Sequence, residues 1–247
     1  MSRPGAKHDV FFLTIIAVTV ALLAPGLAAG ATQDADVPCD PIELINAIDA
    51  ANSNGGADSL NLAAGCVYTL DDVVDGSDGA NGLPSISSEL VINGNGATIE
   101  RSHAPGTLNF RIFHVALTGN LTLNELTVSN GWPISEIPGR FDGGGVFNRG
   151  ALMLHYSTVK DNRATSGGGI YNEGGTVALN TGSLVRDNFA LYGGGIYNHG
   201  GTVELNGSRV NANRVAAVST TPAARWRCPT AVSTATSWAT ALTVAAC

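Results

Sequence analysis

The chain has 247 residues with a formal net charge of -7; it is 44% apolar, only 13% charged, and holds 31 Gly and 20 Asn. Typical soluble domains are about 25% charged, so this composition excludes coiled coils, long solvated helices and basic nucleic-acid binders, and its apolar content excludes disorder driven by charge repulsion. Gly and Asn tolerate tight and left-handed turns, which points to an all-β chain of many short strands.

The first segment stands apart from that pattern. Arg3 and Lys7 precede an apolar run from Val10 to Ala24, followed by Pro25-Gly26 and the small triplet Ala29-Gly30-Ala31. That order predicts a secretory signal peptide over residues 1–31, cut after Ala31. The run is shorter than the ~20 residues that span a bilayer, so no membrane span is expected in the mature chain, and an acidic exported protein has no reason to bind DNA or anionic lipid.

Residues 32–87 read as an N-terminal cap. Asp40 suits the N-cap of a helix over 41–51, Pro41 its first position, and Glu43 the capping box; Ile42, Ile45, Ile48 and Ala51 make an apolar stripe. Asn52 to Gly56 ends it, two strand-like runs follow near Ser59–Leu62 and Val67–Leu70, and a polar Gly/Asp loop covers Asp71 to Gly82. An amphipathic helix ahead of stacked strands is a device for covering an open sheet end. Cys39 and Cys66 flank this unit, and export makes a disulfide between them chemically possible.

Residues 88–215 form a repeat region. Gly143-Gly144-Gly145-Val146-Phe147-Asn148 recurs as Gly167-Gly168-Gly169-Ile170-Tyr171-Asn172 and as Gly193-Gly194-Gly195-Ile196-Tyr197-Asn198, at spacings of 24 and 26 residues. Each copy leads into a strand pattern (Leu152/Leu154, Val177/Leu179, Val203/Leu205) and then a V-x-x-N element from Val159 to Asn162, Val185 to Asn188 and Val210 to Asn213. A period of this size signals stacked units. The strand-turn alternation, without a helical stripe, predicts a parallel β-helix in which equivalent residues lie about 4.8 Å apart. Less regular units are visible at 90–99 and 110–128, giving about five coils, or roughly 24 Å of stack at that spacing.

Two Asn series follow from the register: Asn148, Asn172 and Asn198, and Asn162, Asn188 and Asn213. Stacked amides can hydrogen-bond along the stack and satisfy turn backbone. These series are expected to be structural ladders, the alternative being a polar binding track. The charged positions predicted to stack are Lys160 over Arg186 and Asp161 over Asp187, with Arg163 beside them, making a possible ligand-facing turn. Arg140, Asp142 and Arg149 flank a long loop, Gly131–Phe141, which could bind a ligand. No catalytic residue, metal site or cofactor is expected: His155 and His199 fall in different registers, no Cys/His cluster has ligand spacing, and the glycine triplets are turn chemistry, not a phosphate loop.

The GGGIYN and V-x-x-N repeats resemble those of bacterial secreted right-handed parallel β-helix proteins, and the GG-A/I and F-x-x-N repeats of chlamydial polymorphic outer membrane proteins. Ile92-Asn93-Gly94-Asn95-Gly96-Ala97-Thr98-Ile99 and the helix Pro41–Ala51 are similar to the N-terminal part of such proteins, so the resemblance covers about Cys39 to Val215. It implies a right-handed β-helix with an N-terminal capping helix, secreted or at the bacterial cell surface or outer membrane. The implied role is adhesin-like and non-catalytic, with a polysaccharide or host-cell-surface ligand. The alternative is a polysaccharide-active lyase or hydrolase, because β-helices also host paired carboxylates.

Residues 216–247 break the pattern. After Gly207 there is no Gly, after Asn213 no Asn, and after Glu204 no acidic residue. Read one base out of frame, Ala (GCN) becomes NGC and Val (GTN) becomes NGT, both compatible with Gly, and Ala216 through Trp226 can spell the register of Gly167–Val177. The expectation is a frameshift near Asn213–Ala216 that truncates the protein and leaves an aberrant, disordered tail in which Cys228 and Cys247 are accidental; a natural Ala/Thr-rich tail is the alternative.

Overall fold

The computed structural model describes residues 32–133 and 141–215, and the backbone alone of Arg225–Thr230. The expected signal peptide, most of the tail and residues 134–140 of the long loop, Arg140 included, lie outside the described residues.

The described chain is mostly β with one helix. Every strand-to-strand ladder is parallel. An eight-stranded sheet runs through Asp34–Val37, Ala57–Leu62, Glu89–Asn93, Asn120–Asn124, Ala151–His155, Thr176–Leu179, Thr202–Asn206 and Arg225–Thr230. A six-stranded sheet joins Val67–Leu70 to Arg209–Asn211, a four-stranded sheet Phe113–Val115 to Ile196–His199, and a three-stranded sheet Arg163–Ser166 to Arg214–Val215. Each unit that begins with a glycine triplet sends one strand into each of the four sheets. The strands before residue 88 lie in the same sheets, Ala57 opposite Glu89 and Val67 opposite Thr98.

The register stacks like on like. Val177 faces Val203, Leu179 faces Leu205 and Val185 faces Val210, so alternate residues form apolar columns, buried except at Val210, which is half-buried. Two glycines show why the triplet is invariant among the three units. Gly167 sits at φ +61°, the left-handed region where a Cβ is penalised. At Gly168 an added Cβ would lie 2.5 Å from both the Gly194 and the Phe189 carbonyl oxygens, so the backbones of adjacent rungs leave it no room.

The helix runs Pro41–Asn54, longer than 41–51, and stops at Gly55 in the left-handed conformation. Asp40 is its N-cap, accepting a hydrogen bond from the Ile42 amide at 2.8 Å. Two details of the expected helix are corrected. The Asp40 N–H donates to Pro38 O at 2.7 Å, so Glu43 does not close a capping box there. Ile42 is 63% exposed and Leu44 takes its place beside Ile48 and Ala51 in the core. The buried face is set by docking against Asp34–Val37 and the two strands that follow. Cys39 and Cys66 are joined in a disulfide with a Cα–Cα distance of 5.7 Å. Beside it the Tyr68 hydroxyl donates to Val37 O and accepts from the Ala63 amide, pinning the same turn of chain.

Candidate functional site

Three polar constellations ride on this framework. The first consists of the Asn series. Asn148 Nδ2 donates to Asn172 Oδ1 at 2.7 Å, and Asn172 Nδ2 to Asn198 Oδ1 at 2.8 Å. In the other series the main-chain N–H of Asn162 donates to Asn188 Oδ1 at 2.9 Å, and that of Asn188 to Asn213 Oδ1 at 3.0 Å. The Nδ2 groups of Asn162, Asn188 and Asn213 donate in turn to the carbonyls of Val128, Val159 and Val185. Asn148, Asn162, Asn172 and Asn188 are at most 1% exposed, so these amides meet backbone and one another.

A third amide column escaped the sequence reading. Asn61, Asn93, Asn124, His155, Asn180 and Asn206 follow one another along the eight-stranded sheet, all half-buried. Asn93 donates to Asn61, Asn124 to Asn93, and Asn206 to Asn180. Asn180 Nδ2 lies 3.3 Å from His155 Nε2, so His155 is one rung of this column. The signal was present: from Asn93 on, each of these residues directly follows the last inward-facing Ile or Leu of its strand.

The second constellation is the charged turn. Lys160 pairs in register with Arg186. Asp161 and Asp187 both adopt positive φ, 55° and 56°. The cations turn to their own chain neighbours: Lys160 Nζ meets Asp161 at 3.0 Å and Arg186 Nη1 meets Asp187 at 2.5 Å, all four side chains being at least 32% exposed. Asp161 also lines a depression of about 280 Å³ with Arg101, His103, Asn130, Gly131, Trp132 and Arg163. Two guanidinium groups flank the Trp132 ring, Arg101 at 5.8 Å and Arg163 at 5.2 Å from its centroid. Arg101 is 6% exposed and held by the Leu108 and Thr107 carbonyls and Asn109 Oδ1, and its burial lowers its pKa from the ordinary guanidinium value. Arg163 stacks on Phe189 as well.

The third constellation was not legible in the sequence. On the four-stranded sheet, His114, Phe147, Tyr171 and Tyr197 form one column, with ring centroids 5.6, 5.0 and 5.3 Å apart. The polar loop 71–82 folds back through an Asp75–Asn81 bridge and lays Asp78 at its end. Asp78 Oδ2 accepts from Arg149 Nη1 at 2.9 Å and lies 3.2 Å from His114 Nε2, while Arg149 Nε reaches Glu173 at 3.4 Å. Arg111 is fully buried, stacks over Phe147 at 4.8 Å and donates to the Asp78 carbonyl at 3.1 Å. Burial and the Arg111 charge hold His114 below its ordinary 6.5, against the opposing pull of Asp78. His199 belongs to the same sheet, with its Nδ1 3.4 Å from the Tyr171 hydroxyl, and shares no contact set with His155.

Among the described residues no three His, Cys, Asp or Glu side chains gather as a metal centre requires, and no helix is long and apolar enough to cross a membrane. No protein-family model, curated protein or solved structure matches the chain.

Proposed function

We propose that the four sheets are the faces of a right-handed parallel β-helix, that Pro41–Asn54 caps its N-terminal end, and that the protein is exported and works at the cell surface by binding, as adhesin-like repeat proteins do. The observation that carries this reading is the register: units of 24 and 26 residues stack rung on rung, with Asn148, Asn172 and Asn198 bonded in line. Five units between Glu89–Asn93 and Thr202–Asn206 occupy the eight-stranded sheet, in keeping with about five coils. The repeat unit supplies rigid area, and chemistry that varies between rungs, such as the turn of Lys160, Asp161, Arg186 and Asp187 and the Trp132 depression, supplies selectivity. Exposed charge pairs and the Trp132 ring between two guanidinium groups suit a polar ligand such as a polysaccharide.

We propose, from the codon series of Ala216 through Trp226 alone, that the reading frame shifts near Asn213–Ala216.

Binding of the chain from Thr32 onward to immobilised pectin, alginate and glycosaminoglycans tests the functional reading. Retention on one acidic polymer without loss of polymer length, weakened by salt and by the double change Lys160→Ala with Arg186→Ala, is the expected result. Shortened or unsaturated products that disappear in Asp161→Ala or Asp187→Ala would replace it with the enzyme reading. Fractionation of cells expressing the chain with and without residues 1–31 tests export.

A further inference from the structure

Outside the repeats, the surface-binding reading leaves one constellation unused. Ser85 Oγ lies 2.6 Å from His114 Nδ1, and the other ring nitrogen lies 3.2 Å from Asp78 Oδ2. An ionised carboxylate only accepts hydrogen bonds, so Asp78 fixes the proton on Nε2 and leaves Nδ1 as the acceptor of the Ser85 hydroxyl. That is the order of a hydroxyl nucleophile, a general base and an orienting acid, with the two ring nitrogens exchanged relative to the serine-protease arrangement.

The relay is held from all sides. Asp78 sits at φ +52°, a left-handed conformation kept at the end of a tight loop. Asn81, fully buried, secures that loop through Asp75 Oδ1 at 2.6 Å and Ser77 O at 2.9 Å. Arg111 holds the Asp78 carbonyl and Arg149 its carboxylate. Ser85 is fixed by its neighbours: its carbonyl accepts from Asn52 Nδ2 at 2.9 Å, and the Ile86 amide donates to His114 O at 2.9 Å. A buried imidazole needs partners, and two backbone carbonyls or waters would serve. Here the partners are a half-buried hydroxyl and a carboxylate clamped by an arginine, which orient the ring and set Nδ1 against the Ser85 hydroxyl.

We infer that Ser85 is an acylatable nucleophile served by His114 and oriented by Asp78, and that this end of the molecule cleaves small carboxylic esters. In the first step the Ser85 oxygen bonds to the acyl carbon while its proton passes to His114 Nδ1. The imidazolium returns that proton to the departing alkoxide as the ester C–O bond breaks. Water then attacks the acyl-serine, giving a proton to Nδ1 that returns to the Ser85 oxygen, and the carboxylic acid leaves. The imidazole is 3% exposed and Ser85 half-buried, so a small ester is the probe suited to reach the Ser85 oxygen.

The test is covalent labelling of the full chain with an alkyl fluorophosphonate, followed by peptide mapping, with hydrolysis of p-nitrophenyl acetate as the second readout. The expected result is a single adduct on Ser85, absent in Ser85→Ala. His114→Gln slows labelling on the order of 100-fold. Asp78→Asn, which keeps the shape of the side chain, slows labelling and moves the pH midpoint of its rate, a shift that a merely structural Asp78 would not produce. A folded chain with an intact Cys39–Cys66 disulfide that shows no adduct, or an adduct elsewhere, overturns the inference. So does a rate and pH midpoint unchanged in Asp78→Asn, which decides the matter even where His114→Gln does not fold.

Discussion

The stacked units from Gly143 to Val215 and the segment from Asp71 to Val115 bury polar atoms by opposite means. The first repeats one solution: an amide at the same place in every rung, bonded to the rungs before and after it. The second uses each contact once: a fully buried Arg111, a nearly buried His114 and a clamped Asp78, brought together by a loop and a strand 36 residues apart. Repetition spreads the cost of burying polar groups over many equivalent bonds, whereas a one-off cluster concentrates it in a few charges whose loss leaves a partner stranded.

The sharpest break of this comparison comes from the shared core. Leu154 is fully buried in the column that carries Leu123 and Leu179. Leu154→Ala is expected to cost about 4 kcal/mol in denaturant unfolding, within the range for a core cavity that cannot collapse. Because every rung leans on the next, the loss should lower one cooperative transition and not split it.

Next come the device of each region. Asn188→Ala strands the Asn162 main-chain N–H and removes the side-chain donor to the Val159 carbonyl, while Asn213 Oδ1 keeps the main-chain N–H of residue 188, and is expected to cost about 3 kcal/mol. Asn206→Ala in the half-buried third column should cost less than about 1 kcal/mol by the same measurement. Reduction of Cys39–Cys66, 27 residues apart, removes about 3 kcal/mol from the N-terminal side.

The irregular region should carry pH dependence near neutrality through His114. Burial and Arg111 lower the His114 pKa from 6.5, so the unfolded chain takes up this proton first as the pH falls. The stability that depends on a neutral His114 is complete above pH 6.5 and is lost as the pH falls from there through the lower folded value. Urea unfolding of the protein and of His114→Gln between pH 7 and pH 5 checks this, the variant being expected to lose that part of the slope. The smallest effect is on the charged turn: Arg186→Ala, on a side chain 41% exposed, should change stability by less than about 0.5 kcal/mol.

How far the sequence disclosed these regions follows from the same contrast. The sequence period alone places Val177 with Val203, and Asn162 with Asn188, because one period of chain returns to one place. Each instance corroborates the others. Ser85, Asp78 and His114 occur once each, and only the path of the loop 71–82 makes them neighbours. The helix shows a smaller failure of the same kind. Ile42 and Leu44 are equally apolar, and the choice of Leu44 for the core depends on how the helix docks against Asp34–Val37, which helical spacing alone does not contain. In sequence Arg163 stands beside the charged turn, whereas in the fold aromatic rings from two distant segments, Trp132 and Phe189, take up its guanidinium.

The in-register stack is the claim on which the rest depends, and a pair of spin labels tests it most directly. Ala178 and Glu204 are partners in adjacent strands, both half-buried. With labels at these two positions and Cys228 and Cys247 changed to Ser, the account predicts a strongly dipolar-broadened spectrum from backbones about 4.8 Å apart. A sharp spectrum equal to the sum of the two singly labelled chains would contradict it.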